Sequence, residues 1–250
     1  GGVVRVEPGS YGDDDWTKTL EIPADHQGWA QFVLDMSGVH VEKESWNGEP
    51  FIRRRGGDDT SQTTQVFLYG PSIDAGAVPS EDLGTGIETY SLSNSYLSFQ
   101  LSGEFDIGLH DRAWKGSGHH NVINAKLFQP IVGLKIGSMD DPQTCDRGVY
   151  NVQVGRASKA ACWVSKGKWN DLDVVPENYR PDAATPTYGY YIPDNGTDNG
   201  SNIVRRLEAW AHRAGEYAVY SPSWRTKIDL RSYHSSKSMA SSAVAMPPAQ

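Results

Sequence analysis

Residues 96–110 constrain the fold more than any other stretch of the chain. Along them, positions that are apolar or glycine alternate with positions that are polar or glycine. A period of two indicates a β-strand with one buried face and one solvent-facing face. At about 3.3 Å per residue the stretch would extend for about 50 Å, so it must bend to stay within a compact sheet. We expect the bends at Gly103 and Gly108.

The chain as a whole predicts an all-β protein. About eight alternating segments are separated by long loops, a pattern typical of an eight-stranded antiparallel jelly-roll sandwich. Residues 1–234 are predicted to form a single jelly-roll domain, and residues 235–250 an extended C-terminal arm. One short helix is expected over residues 201–215, because Ser201 can cap its first turn and Gly215 ends the helical spacing of apolar residues.

Composition limits the classes of function. The net charge of −8 disfavours a general nucleic-acid-binding role, and no apolar run has the length of a membrane span. Eight Trp and twelve Tyr suit protein interfaces and sugar-facing surfaces. The only two cysteines, Cys145 and Cys162, are expected to be free, buried thiols. No cofactor or metal site is predicted, since no spacing of ligand residues is recognised.

Two carboxylates, Glu104 and Asp106, are predicted on the solvent-facing side of the strand at 96–110. A pair on one face could act as acid and nucleophile in sugar hydrolysis. A family of sandwich glycosidases carries Glu-x-Asp-x-x-Glu on such a strand, but here the third position is Leu109. We therefore expect no enzymatic activity. The alternative that stays open is a carbohydrate-binding or carbohydrate-active β-sandwich that uses Glu104, Asp106 and the nearby Trp114.

Two further clusters have plainer interpretations. Arg53, Arg54 and Arg55 form the strongest positive cluster and are possible contacts to RNA or to another chain. Strand alternation would divide them between two faces, so a solvated edge or an interface salt bridge is favoured. The polar group of His110, Asp111, His119 and His120 is expected to lie on an exposed surface loop.

Several motifs in the first half of the chain occur together with distinctive termini. The sequence begins with Gly1 and ends with Gln250, as in products of a 3C-like cysteine protease that cuts after Gln and before a small residue. The motif YGDDDW at 11–16 precedes an early pair of strand segments at 32–41 and 45–52. Together with the glycine-containing central strand, these features resemble the capsid proteins of picornavirus-like viruses, especially the comovirus-like and secovirus-like members.

This resemblance implies a structural role. Such a coat protein is released from a polyprotein and assembles with companion coat proteins, as homo- and hetero-oligomers, into an icosahedral shell that encloses an RNA genome. It would belong to the virion, assembled in the host cytoplasm, with weak contacts to genomic RNA and no membrane association. The surplus of aromatic residues would then lie in interfaces between subunits.

Overall fold

The computed structural model describes residues 2–22, 29–54, 63–91, 95–113, 119–137, 146–165, 170–177, 188–193, 202–204, 217–221, 226–228 and 244–245. Nearly all regular structure in these ranges is β-strand. The strands are β1 (Gly2–Arg5), β2 (Gly9–Tyr11), β3 (Leu20–Ile22), β4 (Trp29–Asp35), β5 (Val39–Glu42), β6 (Ile52–Arg54), β7 (Thr63–Asp74), β8 (Thr85–Ser91), β9 (Ser95–Ser102), β10 (Ile107–Ala113), β11 (His119–Phe128), β12 (Val132–Ile136), β13 (Asp146–Gly155), β14 (Ala160–Val164), β15 (Asn170–Glu177), β16 (Tyr188–Tyr191), β17 (Asn202–Val204), β18 (Tyr217–Tyr220), β19 (Thr226–Ile228) and β20 (Val244–Ala245).

The strands form two parallel sheets. Sheet A has the order β1-β4-β7-β9-β11-β13-β15-β17-β19, with β5 and β2 joined beside β7, and sheet B has the order β20-β18-β16-β14-β12-β10-β8-β6-β3. From β6 onwards the chain alternates between the sheets, so each coil adds one strand to sheet A and the next to sheet B; before that, β1 with β2 and β4 with β5 are consecutive strands of sheet A. This is a β-solenoid, and the prediction of an antiparallel jelly-roll sandwich is wrong. Strand alternation identifies the buried face correctly, but it favours an antiparallel sheet only by general tendency and does not fix the direction of the neighbouring strand.

The stretch at 96–110 is divided between the two sheets. Strand β9 ends at Ser102 and β10 begins at Ile107. Gly103 makes the bend with φ of +145°, and a Cβ atom there would lie 3.2 Å from the Ala75 carbonyl oxygen, which confirms the expected bend. Gly108 instead lies buried inside β10, where a Cβ atom would lie 2.9 Å from the carbonyl oxygen of Gly133.

The core lies between the sheets and consists of stacked inward-facing side chains. Corresponding positions of successive sheet A strands are Leu34, Leu68, Leu97, Ile123, Tyr150 and Leu172. Those of sheet B are Leu20, Ile52, Ile87, Leu109, Leu134, Cys162, Tyr190 and Val219. Cys162 is a free, fully buried thiol as predicted, and burial raises its pKa; Cys145 lies outside the described residues.

Helix is nearly absent from the described ranges. The beginning of the predicted helix, Asn202–Val204, forms strand β17, and the remainder of 201–215 lies outside the described residues. The helical structure that is described is a single 3-10 turn at Ser80–Asp82. Within the described residues, no helix combines the length and the apolar character that crossing a membrane requires. Val244–Ala245, from the segment predicted as an arm, pair with β18.

Candidate functional site

A row of polar side chains crosses the outer face of sheet A. Because side chains alternate along each strand, the residues between the buried core positions point away from sheet B. Five of them occupy corresponding positions on neighbouring strands and form what we call the polar ridge: His40, Ser72, Gln100, Lys126 and Gln153. With about 4.8 Å between strands, the ridge extends for about 19 Å along the solenoid.

The first groove lies on one side of the ridge and has a volume of about 270 Å³. Its far wall is formed by the last residues of the sheet A strands. The wall residues are Asp74, Ser102, Phe128 and Gly155. We call this the Phe128 groove, since Phe128 is its one aromatic lining residue.

A second groove, of about 260 Å³, runs along the other side of the ridge. Ser98, Asn124 and Asn151 line it, and the Asn151 Nδ2 donates a hydrogen bond to the Asn124 Oδ1 at 3.0 Å. Gln100, Lys126 and Gln153 border both grooves. We call this the asparagine groove. Side-chain amides and hydroxyls, which donate and accept hydrogen bonds, therefore occur on both sides of the ridge.

The Phe128 ring is held on the surface by glycine at the paired position of the next strand. Phe128 pairs with Gly155, and a Cβ atom at Gly155 would lie 2.8 Å from the Phe128 Cδ2. The ring therefore extends over Gly155, and Phe128 remains 45% exposed. The guanidinium carbon of Arg156 lies 5.9 Å from the ring centroid, within the range of a cation–π contact.

The two cations beside the Phe128 groove have no carboxylate partner among the residues that the structure describes. Within the described ranges, neither Lys126 nor Arg156 forms a salt bridge. The carboxylate of Asp74, which also lines the groove, accepts a hydrogen bond from the backbone N–H of Gly76 at 2.9 Å. Around Phe128 the groove thus presents positive charge and an aromatic ring to solvent, with the Asp74 carboxylate two strands away.

The predicted arginine cluster is divided between two faces, as strand alternation indicated. Arg53 lies on the outer face of sheet B, where its guanidinium contacts Glu49 at 2.6 Å, Glu88 at 3.0 Å and Glu21 at 3.9 Å. Burial acts against the charge, but the hydrogen bonds and charges of Glu49 and Glu88 raise the pKa of Arg53 overall. Arg55 lies outside the described residues.

Arg54 points into the solenoid and is 3% exposed. Its Nη1 donates to the Ser95 Oγ at 2.8 Å, and Asp111 provides a compensating negative charge. Burial lowers the pKa of Arg54 to about 10, which leaves the guanidinium charged at neutral pH. The Asp111 Oδ2 accepts a hydrogen bond from the Tyr150 hydroxyl at 2.6 Å.

The prediction of an exposed loop at His110 and Asp111 is wrong. Both residues belong to β10 and are buried, at 7% and 4% exposure. Asp111 faces the interior, whereas His110, which pairs in register with Glu88 and Lys135, is buried on the outer face of sheet B. Burial lowers the pKa of His110 to about 4, and a His110 ring nitrogen lies 3.1 Å from the Gly137 carbonyl oxygen. The side chains of His119 and His120 lie outside the described part of the chain.

Glu104 and Asp106 do not share a strand face. Both lie in the corner between β9 and β10, because Gly103 ends the strand that was predicted to carry them. Glu104 is half-buried and Asp106 is exposed, and neither lines the two grooves. Trp114, the third member of the predicted sugar site, lies outside the described residues, as do Gly1 and Gln250.

The motif at 11–16 has a structural role near the start of the solenoid. The buried Lys43 Nζ lies 2.8 Å from the Asp13 carboxylate and also donates to the backbone oxygens of Asp13 and Trp16. The hydrogen bond from Lys43 lowers the pKa of Asp13 to about 2. These contacts hold the loop between β2 and β3 against β5.

The outer face of sheet B carries a group of aromatic side chains that the sequence did not locate. Trp163, Tyr191 and Tyr220 occupy corresponding positions on β14, β16 and β18, and Tyr188 lies beside them. Tyr191 and Tyr220 stack with centroids 5.3 Å apart, and Trp163 meets Tyr191 edge-on at 4.8 Å. We call these four residues the aromatic ladder. Their rings largely cover one another.

Comparison with known proteins gives no match by any of three routes. No protein-family model matches the chain, no curated protein matches its sequence, and no solved structure matches its fold. Among the described residues, no group of three or more His, Cys, Asp or Glu side chains is placed to hold a metal ion. The outer face of sheet A, with its two grooves, is the candidate site that the geometry supports.

Proposed function

We propose that the outer face of sheet A binds a linear glycan. The observation that carries this proposal is the pair of parallel grooves, lined by amides and hydroxyls and bordered by the exposed Phe128 ring. Sugar hydroxyls both donate and accept hydrogen bonds, so Asn and Gln side chains suit them. The apolar face of a sugar ring packs well on an aromatic side chain.

The shape of the site favours an extended ligand. Sites for small molecules are usually cavities of about 300–1,000 Å³ that enclose most of the ligand. The grooves here are smaller and cross several coils, so they match a chain that lies along the solenoid axis. The proposal is therefore glycan binding, the alternative that the sequence left open, but on other residues than Glu104, Asp106 and Trp114.

A glycan array followed by titration calorimetry tests this proposal. Replacing Phe128 by Ala should weaken binding at least about fivefold, since central aromatic contacts in binding sites are worth more than about 1 kcal/mol. Val149→Ala is the matched control, because Val149 is 50% exposed on the same face and lines neither groove. A glycan bound equally by the wild type and Phe128→Ala would contradict the proposal.

A shell protein is the second candidate. The jelly-roll fold implied by the capsid resemblance is wrong, but the assembly role itself stays a prediction. One observation favours association of copies: an apolar column crosses the outer face of sheet A near the start of its strands. Its members are Val3, Val33, Phe67, Tyr96, Val122 and Val149.

Light scattering and negative-stain imaging distinguish this second candidate. Regular particles, formed alone or with companion chains, would support a shell protein, and Val122→Asp should then reduce assembly because it places a charge in the apolar column. A monodisperse species of 27.5 kDa under all of these conditions would contradict it.

A further inference from the structure

Resting on the glycan-binding function proposed above, we infer that the ligand of the Phe128 groove is an acidic glycan. An anionic group on the sugar, either a carboxylate or a sulfate, would bind between the Lys126 ammonium and the Arg156 guanidinium while the sugar ring packs on the part of Phe128 that stays exposed beside Arg156. Three observations on this groove lead to the inference: the position of the two cations, the lack of carboxylate partners for them in the described part of the chain, and the exposed ring between them.

The two cations flank the aromatic ring. Lys126 precedes Phe128 by two positions on β11, so both side chains point outward, about 7 Å apart along the strand. Arg156 follows Gly155, the register partner of Phe128, and its guanidinium lies over the ring. A sugar on Phe128 would therefore have a positive charge on either side.

Several other cations of the described chain are paired with carboxylates. Arg5 contacts Asp35 at 3.0 Å, Lys43 contacts Asp13 at 2.8 Å, and Arg53 contacts three glutamates. In the described ranges Lys126 and Arg156 have no such contact. Their charges are available to an external anion, and charge-assisted hydrogen bonds are about twice as strong as neutral ones.

The carboxylate in the groove does not occupy this position. Asp74 pairs in register with Ser102, which pairs with Phe128, so Asp74 lies two strands from the ring, or about 10 Å. Its Oδ1 already accepts the Gly76 N–H. The negative charge of Asp74 therefore lies at one end of the groove, and the positive charges of Lys126 and Arg156 lie beside Phe128.

The polar lining of the grooves favours an acidic glycan over a nucleic acid. At −8 overall, the protein repels any polyanion at long range, so the attraction must come from the local pair of cations. Amide groups on both sides of the ridge also suit sugar hydroxyls better than a phosphate backbone. An acidic glycan is therefore the favoured polyanion.

Matched ligands test the inference by calorimetry at low ionic strength. The carboxylate probe is an oligogalacturonate, compared with its neutral methyl ester; the sulfate probe is a chondroitin sulfate oligosaccharide, compared with its desulfated form. We expect the wild type to bind at least one anionic probe about tenfold more tightly than its partner with that charge removed. Preference for the first probe would identify a carboxylate, and preference for the second a sulfate.

The variants Lys126→Met and Arg156→Gln should each weaken binding of the preferred anionic probe by about tenfold and of its matched partner by less than about twofold. Lys18→Met is the matched control, because it removes one exposed positive charge away from the grooves. Raising the salt concentration should reduce the preference, as screening weakens exposed charge contacts.

Each remaining outcome overturns the inference in a distinguishable way. Equal affinity for both members of each pair would overturn the acidic specificity and leave glycan binding intact. An equal loss in Lys18→Met would show attraction to overall charge instead of a site. Tighter binding of a single-stranded RNA oligomer through the same residues would assign the groove to nucleic acid. No binding of any glycan would overturn the proposed function as well.

Discussion

The outer face of sheet B near Arg53 and the outer face of sheet A near Phe128 differ in whether their side chains have partners within the chain. On sheet B, Arg53 contacts three carboxylates. The rings of the aromatic ladder contact one another, and the Lys159 Nζ lies 4.6 Å from the Trp163 ring centroid. On sheet A, Lys126 and Phe128 remain open to solvent beside the grooves. Groups that are satisfied within the chain stabilise the fold, whereas open groups are available for recognition.

The inner faces of the two sheets also differ, in the polarity of their buried side chains. The inner face of sheet B holds the buried Arg54 and Asp111, whereas the inward column of sheet A that stacks on Leu34 consists of apolar residues and Tyr150. The Tyr150 hydroxyl on sheet A donates a hydrogen bond to the Asp111 carboxylate on sheet B, so the buried polar network includes residues of both sheets. Substitutions on sheet B should therefore affect stability most, and substitutions at the ridge of sheet A should affect binding most.

The largest effect is expected from Arg54→Ala. It leaves the Asp111 charge buried without the guanidinium, and breaking a buried charge pair costs about 3–5 kcal/mol. Urea unfolding measures the loss. The double variant Arg54→Met with Asp111→Leu should recover part of it, since both charges are removed together. A single variant that loses less than the double would contradict a coupled pair.

A pH effect of intermediate size is expected from His110. The unfolded chain binds a proton at this residue near pH 6.5, whereas burial delays protonation in the folded protein to about pH 4. Between these values the unfolded state binds more protons, so stability falls as the pH decreases, by up to about 3 kcal/mol. Thermal unfolding across this window should show the decrease, and His110→Gln should flatten it. An unchanged slope in the variant would assign the effect to other groups.

A smaller loss is expected from Arg53→Ala. The guanidinium is 24% exposed and contacts Glu21, Glu49 and Glu88, so its removal should cost about 1–2 kcal/mol. Arg53→Lys keeps the charge but lacks the planar fork, and should lose about half as much. Chemical denaturation of both variants measures their free energies of unfolding and shows which variant loses more. If Arg53→Ala leaves the free energy of unfolding unchanged, the carboxylate contacts on the outer face of sheet B do not stabilise the fold.

The smallest effect on stability is expected from Lys126→Met. Lys126 is exposed and makes no ion pair among the described residues, so the free energy of unfolding should change by less than about 0.5 kcal/mol. The same variant is expected to lose affinity for an acidic glycan. A stability loss as large as that of Arg53→Ala would remove the distinction between the two outer faces.

Parts of the fold could be predicted from local sequence. Alternation in β9 identified Leu97, Phe99 and Leu101 as buried, and all three are at most 4% exposed. Gly103 was identified as a bend because glycine tolerates positive φ. The division of Arg53 and Arg54 between two faces likewise followed from the period of two. These are properties of a single strand and its own side chains.

The parallel arrangement could not be predicted in the same way. An alternating strand is expected in an antiparallel sheet with one wet face, because parallel sheets usually have both faces covered. The solenoid is parallel and still exposes one face of each sheet. Successive sheet A strands also begin at uneven intervals, at Trp29, Thr63, Ser95, His119, Asp146 and Asn170, so no fixed sequence repeat marks the coils.

The sequence by itself determined which side of each strand is apolar, where Gly103 bends the chain, and that Cys162 is buried, because these depend on local periodicity and residue type. Only the tertiary structure decided which residues meet. Gln100, Lys126 and Gln153 come from three different coils, and the register of strand pairing that brings them together cannot be read from the sequence. Register is set by how all the coils stack around one core, so the polar ridge and its grooves exist only once the solenoid has formed.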